Sequence, residues 1–217
     1  MDTEKKSYKP GRIRVENMAK IIEVAEKIFV KHGYRGASMQ MIANKADLPK
    51  ANIHYYFKSK DKLYAEVLTK IIGSWNSELQ DISVDDDPAE VLERFIYKKV
   101  ELSYKYPQAS KLFALEIIQG APHLKEYVRS DMRQWVRDKA KIFQTWMDQE
   151  KIKKVDPVHL IFLIWSSTQH YADFETQVLT IMNRAEYEEE DIETISKFLS
   201  SVILTGIGLK PTGKVRR

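Results

Sequence analysis

The sequence contains no cysteine, which removes disulfide frameworks, cysteine-ligated zinc fingers and thiol catalysis and fits a reducing compartment. Long apolar runs are also missing. The strongest, LIFLIW at 160 to 165, falls far short of the roughly 20 residues a membrane-spanning helix needs. The N-terminal stretch MDTEKKSYKPGRIRVEN lacks the apolar centre of an export signal. These absences predict a cytoplasmic protein, neither exported nor integral to a membrane. Glycine and proline are few, and Glu, Lys, Ile, Leu, Met and Ala recur almost everywhere, a vocabulary that predicts an all-α fold.

Charge is unevenly placed. Residues 1 to 62 hold 14 Lys or Arg against 7 Asp or Glu, whereas residues 63 to 209 hold 17 against 24. The last eight residues, KPTGKVRR, are again basic. A basic front followed by an acidic body suggests two parts that meet different partners.

The first periodic segment, RVENMAKIIEVAEKIFVKHG, places Met18, Ile21, Ile22, Ala25, Ile28 and Phe29 on one helical face. Gly33 and Gly36 mark its end. Ser38 is then suited to cap a short helix, SMQMIANKA, with Met39, Ile42, Ala43 and Ala46 inward. Pro49 suits the first turn of a third helix running to about Tyr56. Two short helices separated by a few residues have the proportions of a helix-turn-helix, here about 37 to 56. They need the longer first helix to cover their apolar faces.

Ser59 is suited to cap a fourth helix through Leu63, Val67, Leu68, Ile71, Ile72 and Trp75. The boundary is expected near residue 60, with an N-terminal arm and DNA-binding domain at 1 to 60 and a larger helical ligand-binding and dimerisation domain at 61 to 217. Further helices are expected over 88 to 105, 108 to 119, 121 to 150, 157 to 180 and 190 to 208.

The second short helix of a helix-turn-helix enters the major groove of DNA, and its N-terminal residues reach base edges. Here that helix reads KANIHYYF. Lys50 suits guanine or a phosphate, and Asn52 carries the donor and acceptor that match adenine. His54, Tyr55 and Tyr56 add hydrogen bonds and flat apolar contact, while Ile53 points to the core. Lys60, in the first turn of the next helix, suits a phosphate, as does Ser38 at the start of its own helix. Lys5, Lys6, Lys9, Arg12 and Arg14 add nonspecific phosphate contacts. Read by spacing alone, the same aromatics also serve as core and the same lysines as solvated surface.

GYRGASMQMIANKADLPKANIHYYFKSKDKLYAEVL at 33 to 68 resembles the DNA-binding domain of TetR-family transcriptional regulators. The pattern joins a glycine-aromatic turn, a Ser or Thr start and a Tyr-Tyr-Phe run before a Ser-Lys pair. The resemblance implies that Ser38, Gln40, Lys50, Asn52, His54, Tyr55, Tyr56 and Lys60 occupy positions that meet double-stranded operator DNA. Ala51 holds another such position without a polar group.

In the body, DPVHLIFLIWSSTQHYADFETQV begins apolar all round and then turns polar without a break. Trp165, Gln169, Ala172 and Asp173 share one helical face. An indole beside an amide suits a small, flat, amide-like heterocycle. Alternatively, Gln169, His170 and Asp173 bond one another across the bundle or across a dimer interface. His159 and His170 lie about three turns apart, too far for one metal ion.

YPQASKLFALEIIQGAPHL and the 156 to 178 segment are similar to the ligand-binding domain of a pyrimidine-responsive branch of the same family. That resemblance implies uracil or thymine as effector and places Trp75, Trp165 and Gln169 at the pocket. Acidic Glu93, in a helix expected to border it, departs from the pattern. The resemblance also implies a homodimer formed through the last two long helices. Ile195, Phe198, Leu199, Val202, Ile203 and Ile207 give the final helix a broad apolar face, which packing within one subunit would equally explain. No nucleophile elbow, phosphate-cradling glycine loop or metal cluster appears, so neither an enzyme nor a bound cofactor is expected.

Overall fold

Capping chemistry sets the helix boundaries in the computed structural model, which describes residues 11–213. Lys5, Lys6 and Lys9 fall outside those residues, as does the side chain of Arg12. The described residues contain eleven α-helices and no strand.

The chain divides into two compact units after Thr69. In the first, α1 (Arg12–Gly36) is interrupted at Gly33, whose φ of 65° only glycine adopts without strain. Ser38 caps α2 (Met39–Ala46), its hydroxyl accepting from the Met41 N–H at 3.2 Å. Asp47 takes a left-handed conformation in the turn to α3 (Lys50–Phe57), with Pro49 just before that helix. Ile21, Ala25, Phe29, Ile42, Ala43, Ala46, Ile53 and Phe57 are buried together with Leu63, Tyr64, Val67 and Leu68. The last four lie on α4 (Lys60–Asn76), which explains why the unit closes at Thr69, within that helix, and not at its start.

In the second unit, α5 (Pro88–Lys105) is capped by Asp87 and opened by Pro88. It packs against α6 (Pro107–Ile118), α9 (Pro157–Asp173) and α11 (Glu189–Gly206). The expected 121 to 150 helix begins late, as α7 (Lys125–Tyr127). It passes through a π-turn at Val128–Met132 and continues as α8 (Arg133–Asp148), which lies on α9. Asp156 caps α9 through the Val158 and His159 N–H groups. The expected 157 to 180 helix breaks at Phe174 and resumes as α10 (Glu175–Ile181). The core collects Leu92, Phe95, Ile96, Phe143, Trp146, Ile161, Ile164, Leu199 and Ile203.

Candidate nucleic-acid interface and effector site

On α3 the pattern separates cleanly: Ile53 and Phe57 are buried, and Lys50, Ala51, Asn52, His54 and Tyr55 are exposed. Lys50 and Asn52 make no side-chain hydrogen bond among the described residues, so their donors and acceptors remain available. Tyr55 is 69% exposed, stands edge-on to Tyr56 and lies beneath the Arg14 guanidinium at 5.9 Å. Tyr56 is half-buried, and its hydroxyl accepts from the Asn17 amide at 3.2 Å, which ties α3 to α1. His54 faces the Lys58 carbonyl at 3.4 Å. Gln40 is exposed on α2, with its amide donating to Asn44.

Two residues expected at phosphates also have structural work. The Ser38 hydroxyl serves as a cap, and the Lys60 ammonium donates to the main-chain oxygens of Tyr34 and Ala37. Sequence pattern gave no sign of that Lys60 clamp, because its acceptors are backbone atoms at the far end of α1.

In the second unit, Trp75 is buried, meets Phe113 edge-on at 5.2 Å, and has the Lys99 ammonium over its ring at 5.3 Å. Asp173 is half-buried, and its Oδ1 accepts from the Ser110 hydroxyl at 2.5 Å. Burial pushes the Asp173 carboxyl above the usual carboxylate range, against the opposing pull of the Ser110 bond and the Lys99 charge. Lys99 is the functional candidate that sequence reasoning missed. Its signal is positional: Lys99 follows Phe95 by four and Ile96 by three, on the inward stripe of α5.

Trp165 belongs to a different cluster. It stacks on Trp135 at 5.7 Å and tilts toward Phe162, two turns of α9 before Asp173. Its indole N–H is buried and has no acceptor among the described residues. Gln169 is half-buried and makes no hydrogen bond among the described residues. His170 stacks on Phe174, so Gln169, His170 and Asp173 do not bond one another within the subunit. Glu93, the acidic departure from the pattern, has a structural role. Its carboxylate accepts from the Thr212 N–H at 2.8 Å, the Thr212 hydroxyl and the Gly213 N–H, holding the chain after α11. An open groove of about 1650 Å³, lined by paired surface charges such as Arg94, Glu101 and Lys105, includes none of the expected ligand residues.

The apolar stripe of α11 divides in two. Leu199, Ile203 and Ile207 are buried, while Phe198 and Val202 are more than half exposed, as Phe162 and Leu163 are about half exposed on α9. No helix among the described residues is long and apolar enough to cross a membrane.

Residues 21–67 match the family described as bacterial regulatory proteins, tetR family, and residues 68–210 match the YcdC-like protein, C-terminal region. The HTH-type transcriptional regulator RutR of Escherichia coli (strain K12) is 35% identical over 187 residues, covering 86% of this chain and 88% of that protein. Among solved structures, the transcriptional regulator FadR of Bacillus subtilis in complex with stearoyl-CoA aligns at a TM-score of 0.67 and 19% identity, over 87% of this chain and 98% of that one. AibR, in complex with isovaleryl coenzyme A and operator DNA, aligns at 0.62 and 18% identity, over 86% and 97%. These two likenesses concern the fold alone.

Proposed function

The chain belongs to the TetR family of DNA-binding transcriptional regulators, and from that premise we propose a homodimeric repressor released from its operator by a small planar ligand such as uracil or thymine. The DNA-facing set is Ser38, Gln40, Lys50, Asn52, His54, Tyr55, Tyr56 and Lys60. Lys50 and Asn52 read bases, Tyr55 supplies flat contact, and Lys60 offers a phosphate the one ammonium N–H its two carbonyl bonds leave over. The observation that carries this reading is the exposed, unbonded Lys50 and Asn52 pair at the start of α3.

The effector half rests on Trp75, Trp165, Gln169 and Asp173 and on the sequence resemblance to a pyrimidine-responsive regulator. Its target genes belong to pyrimidine or nitrogen metabolism. The exposed Phe162, Leu163, Phe198 and Val202 support pairing of two subunits through α9 and α11. Paired subunits place two α3 helices in successive major grooves of a pseudo-palindromic operator. Ligand acts through different affinities for the DNA-competent and DNA-incompetent states. The lever is α4, which carries Lys60 in its first turn and Trp75 near its last.

A second reading, a regulator answering to another small molecule or to none, is favoured by one observation. Two proteins of this fold appear with acyl-coenzyme A ligands, so the fold does not dictate effector chemistry. The deciding experiment selects an operator from genomic fragments and follows its release by fluorescence anisotropy as uracil, thymine or acyl-coenzyme A is added. Release by uracil or thymine supports the first reading. Retention with both, together with release by another compound or by none, selects the second.

A further inference from the structure

Lys99 sits where the helical pattern of α5 calls for an aliphatic side chain. Only 2% of its surface is exposed, and its ammonium lies 5.3 Å from the Trp75 ring centre and 5.8 Å from that of Phe95. Ring faces attract a cation but accept little from its three N–H donors. No hydrogen bond or ion pair reaches Lys99 among the described residues, although its neighbours Lys98 and Lys105 both pair with Glu101. Burying an unpartnered ammonium is unfavourable, and a methionine of similar length would pack there at lower cost.

An unused acceptor belongs to the same cluster. Asp173 is near enough to Lys99 to act on its charge, and it gives only Oδ1 to Ser110. Its Oδ2 has no hydrogen bond among the described residues. One unpartnered donor therefore stands over the flat indole of Trp75, and one unpartnered acceptor is held by Ser110, one helical turn before the Phe113 that meets the same indole.

We infer that Lys99 and Asp173 are the polar anchors of the effector site and select a planar ligand with adjacent carbonyl and N–H groups, the edge of a cyclic imide or lactam. Lys99 donates to the ligand carbonyl and Asp173 accepts from its N–H, with Trp75 bounding the ring. Gln169, the amide that sequence alone singles out, is then secondary. This deepens the effector reading above and rests on Trp75 belonging to that site, but it reaches beyond pyrimidines to the functional edge they share with other rings.

Calorimetry on the full chain and on the variants Lys99→Met, Lys99→Gln and Asp173→Asn tests it. The probes are uracil, thymine, hydantoin, 1,3-dimethyluracil and pyrimidine. At least one of the first three is expected to bind the wild type, with affinity at least about tenfold lower in Lys99→Met and in Asp173→Asn. Lys99→Gln, which restores one donor, is expected to lose less. 1,3-Dimethyluracil and pyrimidine, without the N–H and carbonyl pair, are expected not to bind. Melting curves of each variant show that it is folded, and the Lys99→Gln and Asp173→Asn affinities test the anchors independently of Lys99→Met.

Hydantoin binding that depends on Lys99, with uracil and thymine inert, would uphold the anchors and overturn the pyrimidine effector. Uracil binding equally well to wild type and Lys99→Met would do the reverse. Equal affinity for uracil and 1,3-dimethyluracil also overturns the anchors, and silence from all five probes overturns both readings.

Discussion

The ammonium of Lys60 lies 4.3 Å from the centre of the Tyr34 ring and donates to the main-chain oxygen of that same residue at 2.9 Å. A third contact, to the Ala37 oxygen at 3.0 Å, makes Lys60 a clamp that holds the end of α1 against the start of α4. Charge-assisted bonds of this kind contribute about 1.5 to 3 kcal/mol each when their partners are shielded from water. Because Lys60 is half-buried, Lys60→Met is expected to destabilise the first unit by about 1 to 3 kcal/mol, read from urea denaturation followed by far-ultraviolet circular dichroism. Unchanged stability, with only a shallower salt dependence of operator binding, would make Lys60 a phosphate contact and nothing more.

Lys50 and Asn52 differ from Lys60 in having no side-chain hydrogen-bond partner among the described residues. Asn52→Ala is therefore expected to leave stability unchanged, weaken operator binding by about 1 to 3 kcal/mol and relax the preference at one base pair. Lys50→Ala separates two roles. A base contact relaxes specificity at one position, and a phosphate contact weakens all sequences alike while lowering the salt slope by about one. Anisotropy titrations against single-substitution operators decide between them.

Much of the first unit was legible because its signals are local. Ser38 caps α2, Ile53 turns inward, and the polar residues of KANIHYYF face outward, all as the sequence predicts. The break at Phe174 was not legible, since neither glycine nor proline marks it. The stripe on α11 could not be divided from sequence either. Only the arrangement of α5 and α9 shows that Leu199 and Ile203 turn inward while Phe198 and Val202 stay exposed. Lys99 escaped notice because a lysine reads as surface until its position on the α5 stripe is weighed against its neighbours.

Glu93 tethers the segment after α11 through Thr212 and Gly213, although Glu93 and Thr212 are 119 positions apart in the chain. Glu93→Ala removes a buried acceptor and leaves those donors to water. A loss of about 1.5 to 3 kcal/mol is expected, with faster chymotrypsin cleavage after Leu209 than in the wild type. Equal cleavage rates would show that the tether does not hold the segment in solution.

Lys99 links stability to pH in a direction opposite to that of a paired lysine. Burial lowers its pKa to about 7 from the ordinary 10.5, with the Asp173 charge opposing the shift in part. Between those values the unfolded chain holds a proton on Lys99 that the folded chain has released, so this group makes the fold more stable as pH rises through the window. Below about 7 the lysine is charged in both states and its burial penalty is fully present. Lys99→Met removes that penalty and is expected to stabilise the fold by about 1 to 4 kcal/mol at neutral pH and below. The advantage should shrink as pH approaches 10.5, where wild-type Lys99 is neutral in the folded state and largely so in the unfolded one. Denaturation of both proteins at about pH 6, 8 and 9.5 measures the gap while cancelling the other titrating groups they share. A gap that stays constant across that range would mean that Lys99 keeps its proton inside the folded protein.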